Sequence, residues 1–272
     1  MSLSKDAIEH VEQNAIAVAA QQSDAMPDFP FRLLPSGMNI ASLEPFMVER
    51  NQFRAAMKTR SIEDFVKYFE EHQGENCFIN AEQMTAKTIF DLGDSAAPLH
   101  CHHKAYLSLQ KTAAFKELER VNGNLMYQRD MADRIEEWHD LIIPQADTEG
   151  KETIALSKAV ASIRRMTVEE IKKTDHEARS SGQRKTSMED IEAKSDESLP
   201  GYFSFTCTPY EGLKEQIFAL RLSVLTSHDA PAFKLRVQRF ESIEENLATE
   251  FRDLLVKKLP ENAKTFIGEL NT

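Results

Sequence analysis

The sequence predicts an α+β fold: antiparallel sheets with covering helices, a two-layer C-terminal unit and an extended, proline-containing N-terminal arm. Three observations carry this. Residues 103–109 and 233–237 alternate apolar and polar side chains with the period of two that a half-buried strand needs. Residues 61–69 and 243–255 instead repeat apolar side chains at helical spacing. Strands also follow one another in runs, which suggests meanders and hairpins.

Along the chain, Ile8, Val11, Ile16 and Val18 allow a short helix within residues 1–35. Pro27, Pro30 and Pro35 then make SDAMPDFPFRLLPSG an extended arm, because proline removes donors and restricts its predecessor. Its anchors Phe29, Phe31, Leu33 and Leu34 must be buried somewhere, on their own domain or on another subunit. The arm is followed by an α+β region at 36–171. In SIEDFVKYFEEH, Ser61 is the N-cap, Ile62, Phe65, Val66 and Phe69 mark one face, and Gly74 stops the helix. ENCFIN, AKTIFDLG and HKAYLSLQK read as three strands, with Ala105, Leu107 and Leu109 on one face of the third.

Thr112 caps the next helix and Asn122-Gly123 ends it. YQRDMADRIEEWHDLI reads as one helix through Met131, Ile135, Trp138 and Ile142, stopped by Pro144. TIALSKAVASIRRM is another, with Leu156, Val160 and Ile163 inward. Residues 172–199 carry almost no large apolar side chains and read as a mobile polar loop. The C-terminal unit, 200–272, forms one compact domain with 36–171. In it, GYFSFTCTP, EQIFALRLSVL and FKLRVQRF are strands, TSHDAPA is a hairpin loop, SIEENLATEFRDLLVKKL is a helix and KTFIGEL is a last strand. The expected arrangement puts hairpin 215–240 and strand 264–270 in one sheet under helix 241–259, with Phe218, Leu222, Leu235, Phe251 and Leu255 sharing a core.

Composition narrows the setting. With 41% hydrophobic residues over 272 positions, a sizeable core is available. No stretch approaches the length of a membrane span, and MSLSKDAIEHVEQ lacks a secretory layout. Cys77, Cys101 and Cys207 are too few and scattered for a disulfide framework, which points to a cytoplasmic location. A net charge of -11 repels phosphate on average and argues against nucleic acid as the partner.

No catalytic motif stands out, neither a nucleophile elbow nor a glycine-rich phosphate cradle. The densest polar cluster is His100, Cys101, His102 and His103. Imidazole and thiolate suit zinc, but in a strand successive residues face opposite ways, so this segment offers one metal no more than two ligands easily. No metal or other cofactor is expected. His139 and Asp140 face away from Trp138, and Asp175-His176-Glu177 lies in the polar loop. The outer face of the C-terminal hairpin is more informative: Arg221, Lys234 and Arg236 form a candidate basic strip for a phosphate-bearing ligand or an acidic subunit surface, to which Arg164-Arg165 and Lys172-Lys173 could add. Ordinary protection of a sheet edge by charge is the plainer alternative.

The ordered segments LPSGMNIASLEPFM, KTRSIEDFVKYFEEH, FINAEQMTAKTIFDLG, PLHCHHKAYLSLQKTAAFKEL and IEEWHDLIIP resemble the YfdQ-like family of phage and prophage proteins, a domain of unknown function. LPGYFSFTCTPYEGLKEQIFALRLSVLT and FKLRVQRFESIEENLATEF fit the same family, so the resemblance spans roughly 30 to 270. It implies phage or prophage origin and a cytoplasmic product, and it carries over no catalytic residue. The expected function is a phage accessory protein that assembles with itself into a homo-oligomer larger than a dimer, a ring or shell. The alternative is a nucleic-acid or nucleotide-binding protein.

Overall fold

The computed structural model describes residues 4–22, 44–50, 52–146, 152–166, 199–227 and 230–271. The chain divides into two units, Met1–Phe53 and Arg54–Thr272. Among its described residues the first holds helix α1 (Lys5–Gln22) and the 3-10 turn Glu44–Phe46. Ile8, Val11, Ile16 and Val18 are all exposed on α1. The arm anchors Phe29, Phe31, Leu33 and Leu34 lie outside the described residues.

The second unit is α+β. Strand β1 (Ala55–Thr59) leads into α2 (Ile62–Glu71), where the Ser61 hydroxyl accepts the Asp64 amide as an N-cap. Ile62, Phe65 and Phe69 form its buried face. The stop differs in detail from the expectation. Gln73, not Gly74, takes the left-handed conformation, and the Gln73 and Gly74 amides donate to the Glu70 and Phe69 carbonyls in a Schellman arrangement. Gly74 is needed for space: a Cβ there would lie 2.6 Å from the Phe69 ring.

Strands β2 (Asn76–Asn80), β3 (Thr85–Ile89) and β4 (His103–Ser108) form the expected meander. Ala105, Leu107 and Leu109 are buried on one face. The Thr112 hydroxyl accepts the Phe115 amide at the start of α3 (Ala113–Val121), and Gly123 at φ 76° follows the Asn122 C-cap. Next come β5 (Leu125–Tyr127) and α4 (Gln128–Glu137). Here the expected single helix is wrong. It ends at Glu137, and Ile142 and Pro144 belong to a strand, β6 (Ile142–Gln145). That strand lies at a sheet edge, where a residue without an amide proton is tolerated.

Helix α5 (Leu156–Arg165) buries Val160 and Ile163. Most of the polar loop 172–199 is outside the described residues, but its last residue, Leu199, is buried. Strands β7 (Tyr202–Cys207), β8 (Gln216–Ser227) and β9 (Ala230–Val237) pair antiparallel, and the hairpin strands consume much of what read as loop in TSHDAPA. Helix α6 (Phe240–Lys258) and β10 (Lys264–Ile267) follow.

Among the described residues these strands form two five-stranded sheets. Sheet A has the order β1-β4-β3-β2-β10, and sheet B the order β5-β9-β8-β7-β6. The expectation that the last strand joins the hairpin sheet is overturned, because β10 pairs parallel with β2 in sheet A. A 19-residue helix is about 28 Å long at 1.5 Å per residue, enough to carry the chain from one sheet to the other. Phe218, Leu222, Leu235, Phe251 and Leu255 do share a core, which also takes in Cys77, Ile79 and Leu107 of sheet A. Each sheet thus turns one face inward. No helix among the described residues is long and apolar enough to cross a membrane.

Candidate anion-binding site

The face of sheet B turned away from the core is set by the alternation of β8 and β9. Phe218, Leu220 and Leu222 point inward on β8, as do Phe233, Leu235 and Val237 on β9, and all six are buried. Arg221 is therefore forced outward between Leu220 and Leu222, and Lys234 and Arg236 outward between their apolar neighbours. The register puts Arg221 directly opposite Arg236, and Lys234 opposite Ser223. Tyr202 of β7 continues the row on the other side of Arg221.

Arg221, Lys234 and Arg236 line a groove of about 690 Å³, joined there by Arg239 and Glu241 at the start of α6. The expected strip thus gains a fourth cation. Arg239 is one of four non-glycine residues with positive φ among the described residues, at φ 51° and ψ 42°, an uncommon conformation for a side-chain-bearing residue. Asn122 buttresses the groove from the end of α3, its side-chain oxygen accepting the Val237 amide at 2.9 Å. Among the described residues, none of Arg221, Lys234, Arg236 and Arg239 forms an ion pair with a carboxylate. Several arginines elsewhere are neutralised, Arg120 and Arg134 on Glu117 and Arg252 on Asp253. Arg164, expected to add to the strip, is spoken for by Asp133 at 3.1 Å and Glu136 at 2.9 Å. Lys172 and Lys173 lie outside the described residues.

A family profile described as "Uncharacterized conserved protein (DUF2303)" matches residues 4–270. The chain belongs to the DUF2303 family. No curated protein and no solved structure matches the DUF2303 chain.

The histidine cluster of this DUF2303 protein divides at the start of β4, with His100 and His102 exposed ahead of the strand and His103 inside it. Only His103 lies in β4, and it is buried. Its Nε2 is 3.0 Å from the Tyr68 hydroxyl, and its ring stacks on Phe90 with centroids 4.3 Å apart. The Asp91 carboxylate accepts the backbone amides of His102 and His103, both at 2.8 Å. His72, which carries no motif signal in the sequence, sits 4.8 Å from His103 ring to ring. Burial and the neighbouring His72 hold the His103 imidazole below its usual range, against the opposing pull of Asp91. His100 and His102 stack on each other outside the strand, and Cys101 takes a positive φ of 54°. Among the described residues, no group of three or more His, Cys, Asp or Glu side chains could hold a metal ion.

Burial pushes the Cys77 thiol up to about 12 and the Cys207 thiol up to about 11, so both stay protonated and poorly nucleophilic at neutral pH. Trp138 packs edge-on against Phe205 at 4.8 Å, while His139 and Asp140 are exposed beside it.

Proposed function

We propose that this DUF2303 chain is a binding protein of the phage or prophage kind that its sequence resembles, and that the groove over Arg221 and Arg236 takes a phosphate-bearing ligand. The observation that carries the reading is the opposed arginine pair. Like charges placed directly across two strands destabilise a sheet, and here neither partner has a carboxylate among the described residues. Guanidinium forks match phosphate oxygens two at a time, and Lys234 adds a point charge. The volume falls within the range of small-molecule sites. Four cations against the single carboxylate of Glu241 favour an anion, in a protein whose net charge of -11 repels anions on average. A cytoplasmic setting belongs to the same proposal and is supported by three free cysteines. Thermal-shift screening with phosphate, pyrophosphate and a nucleoside triphosphate tests it. Stabilisation that grows with phosphate number supports the reading, and no shift with any of them refutes it.

A second reading is self-assembly into a homo-oligomer larger than a dimer. It is favoured by α1, where Ile8, Val11, Ile16 and Val18 stay exposed. Light scattering on the full chain and on a chain lacking residues 1–35 tests it. A large species that shrinks on truncation supports the reading, and a monomer at micromolar concentration ends it.

A further inference from the structure

The outward face of sheet A carries a different pattern. Register partners give one row across all five strands: Phe266, Phe78, Lys87, Tyr106 and Lys58. Aromatic rings and ammonium groups interleave along it. Phe78 and Phe266 stack with centroids 5.2 Å apart and planes 17° apart. The Lys87 ammonium stands 5.7 Å over the Tyr106 ring. Lys104 and Lys264 extend the basic character into the neighbouring row, and burial together with Lys104 lowers the pKa of Lys87. Among the described strand residues of this face none is acidic; the rest of the surface is mainly Asn76, Asn80, Thr85 and Ser108. In a chain with a net charge of -11, that segregation is the opposite of the average.

The segment after β10 turns the flat face into a slot. The Asn80 amide donates to the Glu269 carboxylate at 2.6 Å, and the Lys87 ammonium donates to the Leu270 carbonyl at 2.8 Å. Between this segment and Phe78, Lys87 and Tyr106 lies a cavity of about 300 Å³.

We propose that this face binds single-stranded nucleic acid, its bases stacking on Tyr106 and the Phe78–Phe266 pair while Lys58, Lys87 and Lys104 contact the phosphates. Unpaired bases offer flat apolar faces that stack on exposed rings without regard to sequence, and the backbone between them needs cations at intervals. A duplex hides its base faces and would meet only the lysines. An acidic peptide would use the lysines and leave the rings unexplained. The site lies on a different sheet from the arginine groove and stands independently of it.

Fluorescence anisotropy with labelled oligo-dT and oligo-U tests the proposal, with a duplex of equal length as the control. Both single strands, or one of them, should bind more tightly than the duplex. Tyr106→Ala should weaken binding about tenfold, while Tyr106→Phe keeps it. Lys58→Ala should lower the salt dependence by about one unit of slope. Arg129→Ala, which removes an exposed cation on α4 outside both sites, should change nothing. Single strands that bind no better than the duplex overturn the proposal. So does a folded Tyr106→Ala protein with unchanged affinity, or an equal loss caused by Arg129→Ala.

Discussion

Arg221 and Arg236 stand opposite each other on adjacent antiparallel strands, on the side of sheet B that faces away from the core. Their positions follow from the buried Leu220, Leu222, Leu235 and Val237 on either side, so the sheet cannot turn them away without exposing its core. Relief of this repulsion is measurable. Arg236→Ala should raise stability by roughly a few tenths of a kcal/mol in urea unfolding, because it removes a like-charge cross-strand pair. A clear loss of stability would mean that the Arg236 side chain makes a net favourable contribution to the folded state.

The core predicts larger effects. Leu255 and Phe251 of α6 are fully buried with residues of both sheets. Leu255→Ala should cost about 2–5 kcal/mol and Phe251→Ala about 3–5 kcal/mol. A change within about 0.5 kcal/mol at either position would contradict the placement of α6 against the sheets.

Gly74→Ala isolates a steric demand. The position has no positive φ, so alanine is conformationally acceptable, but its Cβ would press into the Phe69 ring at 2.6 Å. The expected cost is about 1–3 kcal/mol, and a combined Gly74→Ala, Phe69→Leu protein should recover part of it. A neutral Gly74→Ala would show that the ring moves aside freely.

His103 should make stability fall in acid. Its folded-state pKa is depressed, chiefly by burial, so the unfolded chain takes up the proton first. The contribution is complete above about pH 6.5, the usual imidazole value, and is lost as pH drops below it toward the lower folded value. Replacing His103 by Gln should flatten the stability profile over that window. An identical profile would assign the acid sensitivity to other groups.

Local signals in the sequence were sufficient where one element decides the outcome. Ser61 and Thr112 cap their helices, and Ala105, Leu107 and Leu109 share a buried face, because caps and alternation act within a few residues. Arg221, Lys234 and Arg236 could be grouped since one hairpin fixes their register. Arg239 could not, because its place in the groove depends on a left-handed turn between β9 and α6. Strand β1, Ala-Ala-Met-Lys-Thr, offers few β-branched or aromatic residues, and its partner β4 lies far along the chain, with Ala55 paired to His103. The same distance hid the row from Phe266 to Lys58, which exists only through four strand pairings. Ile142 fits helical spacing from Ile135, and only pairing with β7 at the edge of sheet B decides for a strand.

Whether the arginine groove of sheet B binds a phosphate-bearing ligand can be read from isothermal titration of the full chain with pyrophosphate, set beside the Arg221→Ala, Arg236→Ala double variant. Saturable one-to-one binding is expected, weakening with added salt and dropping about tenfold or more when both guanidinium groups are removed. Equal affinity in the double variant, or no binding by the unaltered chain, would contradict a phosphate site at Arg221 and Arg236.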